Sequence, residues 1–193
     1  MIDDHVEKCL QMLYAAENYS KSALILSGTR NKEVLMPSTI MAAFSLELHF
    51  KCLYFSINKK DFKVKTGKNV ERHSHDFSLI FATLDLAIKK QMEFTFKSSF
   101  VQQDLNQLQD LEGVSGKKIS TELQDTIAAW SNIFEKWRYT YDMSNGGPRF
   151  KSALFFHAIE AAIREAIFTA LPELLVAMHS HHPDKTTIVK RSK

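Results

Sequence analysis

The chain is predicted to be all-α, a bundle of five or six helices, and three observations predict it. Apolar side chains return at Leu123, Ile127, Trp130, Phe134, Trp137 and Tyr141, intervals of three and four that lay one stripe along a helix. Six glycines and four prolines in 193 residues are too few for the many tight turns of an all-β fold. No pair of apolar runs is joined by a hairpin turn signature, and no internal repeat is evident. A chain of this length can bury a real core. Residues 1–178 are assigned to one helical domain, and residues 179–193 to a basic tail expected to be disordered.

The first helix is placed at residues 3–27, with Val6, Leu10, Leu13 and Leu24 at helical spacing, and "GTRNKE" breaks it. Pro37 and Ser38 open the second, about residues 37–57, because a first turn tolerates proline. A basic loop follows. The third helix starts near "HSHDF", with Asp76 suited to its first turn and Phe77, Ile80, Phe81 and Leu84 on one side. Residues 91–119 are ambiguous: "EFTFKSSF" fits strand or helix, whereas Val101, Leu105 and Leu108 fit a helix. Thr121 and Gln124 read as a capping box for the aromatic helix, which "SNGGP" stops. A last helix runs from about Arg149, with a kink at Pro172.

Composition narrows the function. Hydrophobic residues at 45% and charged residues at 24% are ordinary for a globular protein. Cys9 and Cys52 lie in apolar helical patterns and read as small hydrophobes, which excludes a disulfide framework and a four-cysteine zinc site. "IDDHVEK" after Met1 is unlike a signal peptide, and no unbroken apolar run reaches the roughly 18 residues of a membrane span. A cytoplasmic protein is expected. The net charge of +3 is uneven. Residues 59–72 carry six Lys/Arg against Asp61 and Glu71, and residues 184–193 carry four against Asp184, so the remainder of the chain is net negative. Such patches attract phosphates or keep flexible segments solvated. Phe62 is the one aromatic in the loop, too few for base-stacking interleaved with lysine.

The second helix holds the sharpest feature. On a wheel of about 100° per residue, Lys51 falls near 40° from Glu47, among Ile40, Ala43, Phe44 and Tyr54. Ser45, His49 and Ser56 occupy the opposite sector and are the expected solvent face. Glu47 and Lys51 therefore point inward, and an inward carboxylate needs a partner. Lys51 is one candidate and Arg138, at the edge of the aromatic stripe, is another. The pair is either an ion bridge joining helices or part of a charged pocket.

"MPSTIMAAFSLELHFKCLYFS", "HSHDFSLIFATL" and "WRYTYD", in this order, resemble segments of the HEPN-domain family of helical bundles. The resemblance covers roughly residues 5–142. Ser45–Leu53 matches an A-x-E-L-x-L-K-A-L pattern through Glu47 and Lys51. His75, Asp76, Phe77, Ile80 and Phe81 match an H-D-L-x-x-L-F segment, and Arg138, Tyr139 and Tyr141 match R-Y-x-Y. The resemblance implies a HEPN-like bundle, a homodimer, an RNA or nucleotide partner, no cofactor, and a place in defence or toxin–antitoxin systems. Glu47, Lys51, Asp76, Arg138, Tyr139 and Tyr141 are the implied ligand-binding residues. Many HEPN proteins resemble metal-independent ribonucleases with an R-x4-6-H motif. Here no histidine falls in that window after Arg30, Arg72, Arg138, Arg149 or Arg164, and Arg191 is two residues from the end.

Three functions compete. The first is a nucleotide- or RNA-binding regulatory protein without the ribonuclease motif. The second is a divergent ribonuclease using Arg138 for the phosphate and His75 as acid or base. The third is a purely structural or partner-binding bundle. His157, inside "LFFHAIEAAI", reads as a core or interface histidine, and "HSHH" at 179–182 as an adventitious metal binder. Phosphate-loop, dinucleotide, G-x-S-x-G and H-E-x-x-H signatures are absent.

Overall fold

A computed structural model describes residues 3–29, 31–66, 70–72, 74–131, 133 and 155–180. Helix α1 (Asp4–Gly28) begins where the Asp3 carboxylate accepts the His5 N–H at 3.2 Å, with Asp4 and Glu7 favourable in its first turn. A 3-10 turn (Lys32–Val34) leads into α2 (Leu35–Asn58), so Pro37 falls in the first turn, where its missing N–H is not needed. Lys59 ends α2 in the left-handed region (φ 55°), its N–H reaching the Phe55 carbonyl at 2.9 Å.

The basic loop is a small antiparallel hairpin, β1 (Val64–Thr66) with β2 (Val70–Arg72), which lacks the apolar alternation by which hairpins are read from sequence. Helix α3 (Phe77–Thr83) follows, and α4 (Leu86–Ser98) after a break at Leu84 and Asp85. The ambiguous stretch is helical: "EFTFKS" ends α4, and α5 spans Gln102–Ser115. Helix α6 covers Leu123–Ser131. Its start differs from the expected Thr121/Gln124 box: Ser120 accepts the Glu122 N–H at 3.2 Å and donates to Asp125 at 2.6 Å. Helices α7 (Phe156–Ala170) and α8 (Pro172–Ser180) are separated at Leu171, immediately before the proline expected to kink them. The described residues thus form eight α-helices, more than the five or six expected, because α3/α4 and α7/α8 are each split by a single turn.

Helix α2 is the centre of the bundle. It pairs along its length with α1, and α7 and α3 cover its other sides. Leu46, Phe50 and Leu53 of α2 meet Leu13, Phe77, Ile127, Ile159 and Ile163 in one continuous core. Leu123, Ile127 and Trp130 are buried as the stripe predicts, whereas Phe134, Trp137 and Tyr141 lie outside the described residues. Phe155, at φ 62°, holds a backbone conformation costly for a bulky residue. Its ring is buried, stacked on Phe100 (4.6 Å between centroids) and edge-on to Phe96, which offsets that cost. Cys9 and Cys52 are buried free thiols, and Cys52 Sγ donates to the Cys9 carbonyl at 3.4 Å. By length and composition α2 is the one described helix apolar enough to cross a membrane, but 61% of that window is buried inside the bundle.

Two expectations for α2 and its surroundings need correction. Ser45, His49 and Ser56 do not face solvent; all three are buried, because α1 packs along the side where the wheel placed water. His5 Nε2 of α1 lies 3.3 Å from the Ser56 carbonyl, and α7 brings Glu160 and Arg164 near His49. Leu24, expected on the buried side of α1, is 57% exposed. Helix α8 ends at Ser180, and residues 181–193 lie outside the described residues.

Candidate functional site

Glu47 is buried as its wheel position predicts, 4% exposed, in the middle of α2. One turn on, Lys51 bonds its carboxylate through Nζ. The second partner comes from the far side of the hairpin. His75 Nδ1 stands 3.0 and 3.1 Å from the two carboxylate oxygens, a bidentate approach that makes Nδ1 the donor. In the neutral ring Nε2 is then the acceptor.

Local packing explains why His75 arrives there. Phe77 is buried and stacks on Phe50 (5.1 Å, 14° between planes), so the start of α3 is anchored beside the turn of α2 that carries Glu47. Asp76 caps α3, its carboxylate accepting the Ser78 N–H at 3.0 Å, and that N–H also reaches Ser131 Oγ of α6 at 2.8 Å. Asp76 therefore positions the histidine by holding the helix start, and its carboxylate is occupied there.

The three side chains reach the surface in a graded way. The side chains are 6% (Glu47), 22% (Lys51) and 65% (His75) exposed, so the carboxylate is the buried anchor and the imidazole is its solvent end. Upstream, Lys59, Lys60, Lys63 and Lys65 are all exposed on the hairpin and its approach. Asp61 is tied to Lys8 of α1 at 2.8 Å, which fixes the base of the hairpin to the bundle. Phe62 is buried edge-on against Tyr54 at 5.1 Å, so it anchors the loop and is not a stacking platform.

Arg138, the partner expected for Glu47, and Tyr139 and Tyr141 lie outside the described residues. Of the predicted site, the structure brings together Glu47, Lys51 and His75, with Asp76 adjoining.

No pattern in the sequence joins all the members of a second polar group. It lies where α1, α2 and α7 meet. His49 donates from Nδ1 to the Ser45 carbonyl at 2.9 Å, while its buried Nε2 has no partner among the described residues. Burial lowers its pKa to about 4, opposed by the nearby Glu160 carboxylate and reinforced by Arg164. Glu160 accepts from Ser20 Oγ at 3.1 Å, and Arg164 bonds Glu17 of α1. Burial works against ionisation of Glu160, but His157, His49 and Ser20 outweigh it and hold its pKa below the usual range. His157 is not a core residue: its side chain is exposed, with Nδ1 3.8 Å from Glu160, which raises the histidine's pKa. The i,i+4 spacing of Glu160 and Arg164 was the available sequence signal. Their partners on α1 and α2 are more than a hundred positions away, beyond any local pattern.

Among the described residues no three His, Cys, Asp or Glu side chains converge as a metal site, and the exposed His179 Nδ1 is bonded to the Leu175 carbonyl at 2.7 Å. No protein-family model, curated protein or solved structure matches the chain.

Proposed function

We propose that the chain is a HEPN-like regulatory protein that binds RNA or a nucleotide through its phosphates at the Glu47–Lys51–His75 cluster and the adjoining basic hairpin. The observation that carries this reading is the buried Glu47 carboxylate holding a lysine and an exposed imidazole at one surface point, three residues after β2. A carboxylate that serves only to join helices has no need of a partner exposed to solvent. The hairpin lysines supply the positive field that draws a polyanion to that point. In this reading Arg138 contacts phosphate and Tyr139 or Tyr141 lines the cleft, as the resemblance implies.

The test is titration of fluorescent single-stranded RNA, and separately ATP, at several salt concentrations. Binding should weaken in Arg138→Ala. Lys60→Ser with Lys65→Ser should weaken RNA binding and lower the salt slope by about 0.7 for each phosphate that is no longer neutralised. Absence of binding to both ligands at low salt overturns the reading.

The carboxylate–imidazole contact also favours a second reading, a divergent ribonuclease in which Glu47 orients His75 as a general base beside Arg138. Cleavage of RNA in the presence of a chelator, abolished in His75→Asn and Arg138→Ala, is its signature. No cleavage by the unmodified protein removes it.

A further inference from the structure

The exposure of Leu24 has a counterpart across a cleft. Leu35 (40% exposed) and Val101 (53% exposed) face the same opening between α1, the start of α2 and α5, which encloses about 310 Å³. Trp130 and Phe156 form its aromatic wall. The floor is polar in one sense only. Ser27 Oγ donates to the Leu24 carbonyl at 2.9 Å, Ser38 Oγ to the Ala23 carbonyl at 2.9 Å, and Thr39 Oγ1 to the Leu35 carbonyl at 2.9 Å. Each hydroxyl has one proton, so all three are left with lone pairs alone to offer.

The fourth acceptor is charged. Asp104 of α5 lines the cleft, and among the described residues its carboxylate takes a single N–H, that of Val101, at 3.1 Å. A carboxylate has about four acceptor sites, so most of its capacity remains. Gln107 completes the polar lining from an exposed position and can present a donor or an acceptor. His157, also exposed, keeps Nδ1 toward Glu160 and has its pKa raised by Glu160 and Asp104, so a cation in the cleft competes with it for the Asp104 charge.

We infer that this cleft binds a small ammonium ion with an apolar body, its N–H groups directed to Asp104 and the hydroxyl oxygens and its body held against Trp130, Phe156, Leu24 and Leu35. A neutral alcohol brings one donor where an ammonium brings three, and no charge to complement the carboxylate. An anion meets only acceptors on the floor. The cleft stands on residues separate from the phosphate-binding cluster, so the failure of either leaves the other intact.

The test uses the unmodified protein with two probes of one shape, phenethylammonium and 2-phenylethanol. Affinity is read by calorimetry, and the location by the NMR shifts of the Trp130 indole and the Leu24 and Leu35 methyls. Phenethylammonium should bind at least roughly tenfold more tightly, the gain of one charge-assisted hydrogen bond. Asp104→Asn, which keeps an oxygen for the Val101 N–H, should erase most of that preference. Equal affinity for both probes, saturation by neither, or shifts confined to other residues overturns the inference. A preference that survives Asp104→Asn overturns it as well.

Discussion

His49 makes the stability of this fold depend on pH in a way that can be worked out in advance. Its ordinary pKa of 6.5 falls to about 4 because the ring is wholly buried. The groups facing it are Glu17 from α1 and Glu160 and Arg164 from α7, together with the Ser45 carbonyl of its own helix. Below pH 6.5 the unfolded chain takes up a proton that the folded chain refuses until about pH 4. The unfolded state then binds more protons, so stability falls as pH drops through that window. At 1.36 kcal/mol per unit the full effect is ~3 kcal/mol, of which ~2 kcal/mol is gone by pH 4.5.

His49→Leu removes the titrating ring and, with it, the buried Nε2 that has no partner among the described residues. An orphaned buried acceptor costs ~1–3 kcal/mol, so the variant should be no less stable than the parent at pH 7. Urea unfolding followed by circular dichroism at pH 7, 6, 5 and 4.5 measures both quantities. Other carboxylates also protonate in acid, but they do so in both proteins, and the difference isolates His49. If parent and variant lose the same stability between pH 7 and 4.5, the buried, neutral histidine is refuted.

Three further outcomes follow from the contacts. Glu47→Ala should leave Lys51 and His75 without their shared acceptor and cost ~1–3 kcal/mol in urea unfolding. In the same variant, nitrogen NMR should show the His75 ring losing its preference for the Nδ1–H tautomer; an unchanged tautomer would deny the contact. Phe50→Ala, which opens a cavity against Phe77, should cost ~3–5 kcal/mol, and a loss below about 1 kcal/mol would contradict the stacked pair. Asp76→Ala removes the α3 cap and should cost ~0.5–2 kcal/mol, whereas Asp76→Asn should recover most of it.

The legible parts of this protein are those that depend on neighbours in sequence. Asp76 could be assigned to the start of α3 because a carboxylate two positions before a free N–H is a local arrangement. The break before Pro172 was readable from the proline alone. Glu47 was readable as inward because its sector of α2 holds large apolar residues. The opposite sector misled for an equally physical reason. Ser45, His49 and Ser56 are polar, and a wheel assigns polar residues to water; it has no knowledge of α1 and α7, which pack against α2 there. A serine bonds its own helix, and a neutral histidine is tolerated in a core, so neither residue requires solvent. Leu24 failed in the other direction, a well-spaced leucine left over an open cleft.

By itself the sequence determined the helical class, the main helices and the inward carboxylate, since periodicity and capping are properties of a few consecutive residues. Only the tertiary structure decided which partners meet: His75 with Glu47, Glu17 with Arg164, the hydroxyls of α1 and α2 with Asp104 around one cleft. The reason is that burial and electrostatics sum over every element packed nearby. A side chain's charge state and accessibility are therefore set by helices far away in the chain, as His49 is by α1 and α7.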